Sequence, residues 1–326
     1  MRIGGLRKFS VIDYPGKLAA VVFTQGCDFR CPFCYVPELV LPEHYQPLIP
    51  QEDVLAFLER RKEQLEGVVI TGGEPTIQED LISFLDRIKQ LGYLVKIDTN
   101  GSHPEVLSRL IQLNFVNYIA MDVKAPLAAA AAPRTGAEKG RGVEQYRQLC
   151  GTEVDTGLIK KSIALIIDSG IQHEFRTTAV KALISPVDIH QISEFLWGSQ
   201  RYFIQEFVPE RSIIDQGLFM HDIYTEVEIR QFQKKWGHDM SKNQKMPQTN
   251  DSESGFTASE EIEKELVESA YVRHDHGGRE HGHDWDDVGK QERAFNSRHD
   301  LKFQVRACKR KGKKAVLEDR VWDKNT

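Results

Sequence analysis

Cys27, Cys31 and Cys34 fall within eight positions, in the segment Gly26-Cys27-Asp28-Phe29-Arg30-Cys31-Pro32-Phe33-Cys34. Three thiolates at spacings of four and three residues on one loop can fold around a single soft metal centre. Structural zinc takes four ligands, usually as paired Cys-x-x-Cys halves. No second half exists here, since Cys150 and Cys308 stand alone far along the chain. A four-iron cluster normally takes four cysteines. Three would leave one iron without a protein ligand, and an open position is what a metal needs to bind and activate another molecule. A zinc site completed by a distant histidine, and plain buried thiols, are the competing readings.

Other chemistry-bearing residues fall just after strand-like runs. Gly72-Gly73-Glu74-Pro75 follows Val68–Thr71. Two glycines let a ligand approach the backbone closely, and the carboxylate can accept from a bound ammonium. Alone, the same four residues are only a turn. Asp98-Thr99-Asn100-Gly101 and Asp122-Val123-Lys124 end two further runs. Carboxylates at neighbouring strand ends repel unless a cation or Lys124 compensates them. Arg176 lies in the next run, where its guanidinium could pair with a carboxylate. Turn-capping aspartates and a surface ion pair are the plainer alternatives.

The elements that must position these groups read as repeated β–α units up to about Trp236. Strands are expected at Leu18–Phe23, Val68–Thr71, Val95–Thr99, Tyr118–Val123, His173–Thr178 and Tyr202–Phe207. Apolar stripes at helical spacing run through Val54, Phe57, Leu58 and Leu65, and through Leu81, Leu85, Ile88 and Leu91. A third helix should follow Ser185-Pro186, a cap followed by proline at the first helical position. The segment Ala125–Gly142 reads as a loop. About six units is too few for a closed eight-stranded barrel. The expected fold is therefore α/β, a partial, laterally open (β/α)6 barrel with its functional groups at the carboxyl ends of the strands.

Composition narrows the classes. A chain of 326 residues with 40% hydrophobic residues can bury a core of barrel size with an extension. Its net charge of −5 and pI near 6.1 argue against a nucleic-acid partner. No apolar run approaches the roughly eighteen residues of a membrane span. Met1–Ser10 has no apolar core of signal-peptide length, so a cytoplasmic protein is expected. Five cysteines, three of them clustered, make a poor disulfide framework.

From about Gly237 the strand-like runs stop. We place the domain at 1–240 and a polar, His-rich tail at 241–326, for which disorder is the default. A short helix around Ser259–Tyr271 has a cap and an acidic first turn. His274, His276, His281 and His283 lie among aspartates, and Lys309-Arg310-Lys311 opens a small basic patch. The His cluster reads as solvated tail, with weak divalent-metal binding the alternative, and the basic patch implies no more than nonspecific anion attraction.

The cysteine spacing, with aromatic Phe33 before the last thiol, resembles the radical S-adenosylmethionine superfamily. That resemblance implies a [4Fe-4S] cluster on Cys27, Cys31 and Cys34 with S-adenosylmethionine (SAM) on the fourth iron. One electron then splits the sulfonium to give a 5′-deoxyadenosyl radical. Gly72, Gly73 and Glu74 resemble the superfamily's GGE motif, which contacts the methionine amino group.

The finer resemblance, over about residues 3–235, is to glycyl-radical-enzyme activating proteins, most closely those of anaerobic ribonucleoside-triphosphate reductase. Asp98-Thr99-Asn100-Gly101 and Asp122-Val123-Lys124 match their DTNG and D-x-K motifs. There these motifs hold a monovalent cation and the methionine carboxylate. Asp13-Tyr14-Pro15-Gly16 matches a segment in which the aspartate meets the glycine-bearing loop of the partner, which makes Asp13 a substrate-contact candidate; its other reading is a turn residue. The implied partners are a glycyl-radical enzyme and a flavodoxin or ferredoxin-like electron donor, with no nucleic acid and no membrane.

The chain departs from this family at Tyr35-Val36-Pro37, where the family commonly has His-Asn-Pro, and at Val208-Pro209-Glu210-Arg211, where Arg211 stands near an expected histidine. Radical chemistry on a small molecule or another peptide is the alternative within enzymes. A zinc-stabilised binding module is the alternative outside them.

Overall fold

The computed structural model describes residues 1–127, 136–208 and 213–239. Arg211, the 241–326 tail with its expected helix and His cluster, and Cys308 lie outside the described residues. Among the described residues, eight strands form one sheet in sequential order. They are β1 (Ile3–Ser10), β2 (Ala19–Thr24), β3 (Gly67–Gly72), β4 (Leu94–Thr99), β5 (Tyr118–Asp122), β6 (Gln172–Ala179), β7 (Arg201–Glu206) and β8 (His238–Asp239). Strands β2 to β7 pair in parallel, whereas β1 and β8 pair antiparallel at the two edges. The edges do not pair with each other, so the sheet is the expected six-unit barrel left open on one side.

The six parallel strands lie within one residue of the expected runs at either end. Strand β1 escapes a sequence reading because it carries two glycines and two cations and no alternation. Its pairing with β2 makes it a strand.

The helices are α1 (Pro37–Val40), α2 (Gln51–Arg61), α3 (Leu81–Gln90), α4 (Pro104–Gln112), α5 (Gly136–Cys150), α6 (Thr156–Asp168), α7 (Pro186–Phe195) and α8 (Glu226–Lys235). Helix α7 starts in a capping box, Ser185 and Asp188 each bonding the other's backbone N–H, worth about 1 kcal/mol. Helix α5 corrects the expected loop at Ala125–Gly142, because residues 136–142 are helical. Glycines hide that start from a propensity reading, while burial of Tyr146, Leu149 and Cys150 further along fixes the helix.

Alternation along the strands divides the sheet into two faces. Ala20, Val22, Val68, Ile70, Val95, Ile97, Ile119 and Met121 enter the main core with the helices. Ala19, Val21, Val69, Tyr118 and Ala120 form a small separate cluster with Tyr14 on the inner face. Continuing that inner face toward the strand ends gives Lys96, Asp98, Asp122, Glu174 and Arg176, in register across β4, β5 and β6. The parallel pairing thus stacks ionisable side chains on one surface.

Candidate functional site

The cysteine loop leaves β2 and is pinned from several sides. The N–H of Gly26 donates to the Leu39 carbonyl at 2.7 Å, that of Arg30 to the Cys150 carbonyl at 2.7 Å, and that of Asp215 to the Pro32 carbonyl at 2.8 Å. The Arg30 guanidinium closes the loop from within, donating to the Cys27 and Phe29 carbonyls at 2.6 and 2.8 Å. The Phe29 N–H points at the Cys27 sulfur, 3.4 Å away. Tyr35 stacks on Phe207 and its hydroxyl accepts from the Val208 N–H at 2.8 Å, tying the loop to the end of β7.

Cys150 is not isolated, as the sequence alone suggests. It is buried at the end of α5 with its backbone against the cysteine loop. A side chain at Gly151 would place its Cβ 2.0 Å from the Arg30 carbonyl oxygen, so the chain must be bare there.

Cys31 is buried and Cys27 and Cys34 are half-buried, all with free thiols. Burial pushes the Cys31 thiol up to about 12, with the Lys124 ammonium opposing it, and raises Cys27 and Cys34 as well. Such thiols become thiolates only when a metal takes the proton's place. Among the described residues, no three His, Cys, Asp or Glu side chains converge to hold one metal ion. Three thiols spaced four and three positions apart on one loop are a donor set in which each cysteine can serve a different iron. The donor set therefore fits a four-iron cluster with three protein ligands.

Gly72 and Gly73 are bare where the backbone around the cysteine loop comes close. Gly72 has φ +110°, and its added Cβ would lie 2.5 Å from the Thr24 nitrogen. At Gly73 a Cβ would lie 1.9 Å from the Gly26 carbonyl oxygen. The close approach they permit is of the cysteine loop itself: the N–H groups of Gly73 and Glu74 donate to the Thr24 and Gly26 carbonyls, both at 2.8 Å.

Glu74 is buried, and its carboxylate ties the turns together. It accepts from the Thr76 N–H (3.0 Å) and hydroxyl (2.5 Å), the Thr99 hydroxyl (2.8 Å) and the Asn100 N–H (2.7 Å). Burial raises its carboxyl to about 7, against those hydrogen bonds. Asn100 in turn donates its side-chain N–H to Asp28 at 2.8 Å and accepts from the Ser102 N–H and hydroxyl. His103 stands 3.3 Å from Asp28. Burial works to raise the Asp28 carboxyl, but hydrogen bonds from His103, Ser102 and Asn100 outweigh it and hold it below its ordinary value. Gly101, at φ +78°, leaves no room for a side chain beside Met121, and its carbonyl accepts from the Ser162 hydroxyl at 2.7 Å.

Arg176 bridges the two strand-end aspartates. Its Nε donates to Asp122 at 2.9 Å and its Nη1 to Asp98 at 3.4 Å. Lys124 pairs with the second Asp122 oxygen at 2.9 Å and sits 5.7 Å above the ring of buried Phe33. Burial would raise the Asp122 carboxyl, yet Arg176 and Lys124 hold it far below its ordinary value. Burial would likewise lower Lys124 and Arg176, and their carboxylate neighbours raise both instead. Below this row, the Tyr118 hydroxyl donates to Glu174 at 2.7 Å and accepts from Arg201 at 3.0 Å.

The structure thus gathers the cysteine triad, Phe33, Gly72, Gly73, Glu74, Asp98, Thr99, Asn100, Asp122, Lys124 and Arg176 at one end of the parallel strands. It does not bring Asp13 there. Asp13 follows Ser10, which pairs with Ala19 at the start of β2, whereas Ile3 pairs with Thr24 beside the cysteine loop. There Asp13 accepts from Arg7 at 3.0 Å and from the Ser10 hydroxyl, as a turn residue does. The sequence reading missed Asp28, Lys96, His103 and Glu174. For Lys96 and Glu174 the signal was available: each stands two positions before a recognised charged residue on the same strand face.

The sequence profile of the Radical SAM superfamily matches residues 21–184. A Methanocaldococcus jannaschii protein, provisionally described as a glycyl-radical enzyme activating enzyme, is 34% identical over 215 residues, 64% of this chain and 80% of that one. A Saccharolobus solfataricus protein described provisionally as a GTP 3′,8-cyclase is 27% identical over 178 residues, and the chain spans 55% of its length. Among solved structures, Streptococcus suis SuiB bound to S-adenosylmethionine aligns at 19% identity and a TM-score of 0.48, covering 66% of this chain and 45% of that one. On the profile match and the 34% identity, the chain belongs to the radical SAM superfamily.

Proposed function

We propose that this protein is an activating enzyme that installs a glycyl radical on a partner enzyme, the partner being an anaerobic ribonucleoside-triphosphate reductase. The observation that carries the reading is the identity of 34% across 80% of the glycyl-radical enzyme activating relative. It is supported by the open side between β1 and β8, through which a loop of another protein could reach the inner face. When bound, the cluster and SAM would supply a 5′-deoxyadenosyl radical, the oxidant for abstraction of the α-hydrogen of one partner glycine.

The chain's own residues bind and orient. Cys27, Cys31 and Cys34 hold the cluster. Glu74 sets the turn beside it and, as a carboxylate, can accept from the SAM ammonium. Arg176 and Lys124 offer cationic donors to the SAM carboxylate, held in place by Asp122 and Asp98. Phe33 packs under the Lys124 ammonium and keeps water from that side of the loop. Asp13, at the far end of β2, is a candidate contact for the partner. A reduced flavodoxin or ferredoxin-like protein is the electron donor that this reading requires, and the cytoplasm the compartment. Domain limits of 1–240 and a separate 241–326 tail belong to the same proposal.

The test is electron paramagnetic resonance of the reduced, SAM-loaded protein mixed with a candidate reductase. A glycyl doublet supports the reading. SAM cleavage with a silent partner spectrum would point instead to a small-molecule or other peptide substrate.

A further inference from the structure

Lys96 and Asp98 lie two apart on β4, so both project onto the inner face. The Lys96 ammonium bonds one oxygen of Asp98, and the Lys96 side chain is 3% exposed. Its other neighbour is the Tyr118 ring, 5.9 Å from the nitrogen. A buried ammonium with one carboxylate partner cannot give it up cheaply, because breaking such a pair leaves an uncompensated charge.

The remaining carboxylate oxygens are committed too. Arg176 takes the second oxygen of Asp98 and one of Asp122, and Lys124 takes the other. The Thr99 hydroxyl donates to Glu74 and accepts from the Gly101 N–H at 3.1 Å. Lys96, Lys124 and Arg176 face Asp98, Asp122 and, at 3.8 Å from Arg176, Glu174, so the cluster is neutral as it stands. A free monovalent cation, which the resemblance to activating proteins implies at the Asp98-Thr99-Asn100-Gly101 and Asp122-Val123-Lys124 motifs, does not fit these residues. It would add a fourth positive charge and displace one already bonded.

We propose that the Lys96 ammonium is the built-in monovalent cation of this site, so that SAM binding needs neither potassium nor sodium. Lys96 is a positioning residue: it neutralises Asp98 and leaves Arg176 free to swing one donor toward a ligand carboxylate. The inference rests on the reading that this strand end receives SAM.

The test compares SAM affinity of the anaerobically reconstituted protein in potassium chloride and in tetramethylammonium chloride at equal ionic strength. Wild type should bind equally, within about twofold, in both. Lys96→Met should lose roughly tenfold or more in tetramethylammonium and recover with potassium or ammonium. Thermal unfolding of the cluster-free proteins gives a second readout: potassium should raise the midpoint of Lys96→Met and leave wild type unmoved.

Wild-type affinity that collapses without potassium would overturn the proposal, and so would a folded Lys96→Met that responds to no cation in either measurement. If Lys96→Met fails to fold, the wild-type comparison decides alone. A wild type that binds no SAM would refute the SAM reading, while its unfolding midpoint in potassium still decides the cation.

Discussion

The side-chain N–H of Asn100 donates to the Asp28 carboxylate at 2.8 Å, across 72 positions of sequence. The same residue's backbone N–H donates to Glu74 at 2.7 Å. One asparagine at the end of β4 thereby holds both the cysteine loop and the Gly-Gly-Glu turn in register.

Asn100→Ala should loosen Asp28 and cost about 1–3 kcal/mol, because a half-buried carboxylate loses one of its donors and keeps His103 at 3.3 Å. Urea unfolding checks the stability, and iron content after reconstitution checks the loop. Unchanged values for both would mean that Asn100 does not latch the site.

The cysteines should divide sharply. Cys27→Ala, Cys31→Ala and Cys34→Ala should each lose most of the iron, whereas Cys150→Ala should retain about four irons per chain, as a four-iron cluster requires. Cys150 is close enough to the loop for this to be a real question, through its 2.7 Å backbone bond to Arg30. Iron and sulfide analysis after anaerobic reconstitution decides it, and iron loss in Cys150→Ala would assign a fourth ligand.

Glu74 gives a pH signature. Its carboxyl is raised by burial to about 7 in the fold, from an ordinary 4.5. A carboxyl raised on folding contributes stability that is fully present below the unfolded value and is lost as pH rises through the folded one. Relative to Glu74→Gln, the cluster-free protein should lose on the order of 3 kcal/mol across that window. Parallel stability curves for the two proteins between pH 4.5 and 8 would show that Glu74 is not held this way.

Asp122→Asn should leave Arg176 and Lys124 short of a counter-charge. The expected cost is roughly 2–4 kcal/mol, somewhat under that of a fully buried pair because the carboxylate is 31% exposed. Denaturant midpoints measure it. A loss below about 0.5 kcal/mol would make the pair no stronger than an ordinary surface bridge.

Strands β2, β3 and β5 were legible as apolar, largely β-branched runs, and β4, β6 and β7 as shorter apolar stretches beside charged residues, which on β4 and β6 face the site. The cysteine triad and the strand-end aspartates were legible because their chemistry depends on local spacing. Strand β1 was not, since its glycines and cations acquire strand character only by pairing with β2. Cys150 was not, because its place beside Arg30 is created by packing of α5 over more than a hundred intervening residues. Gly72 and Gly73 were recognised as close-approach residues, and the backbone of Thr24 approaches the first and that of Gly26 the second, contacts fixed only in three dimensions.

If the three-cysteine loop at the end of β2 holds a cluster that splits SAM, the reduced protein must release both fragments of that cleavage. The most direct measurement is anaerobic incubation of the reconstituted, reduced protein with SAM, followed by chromatographic assay of products. The account predicts 5′-deoxyadenosine and methionine in equal amounts, abolished in Cys31→Ala. A protein that carries iron and sulfide but releases neither product would contradict it.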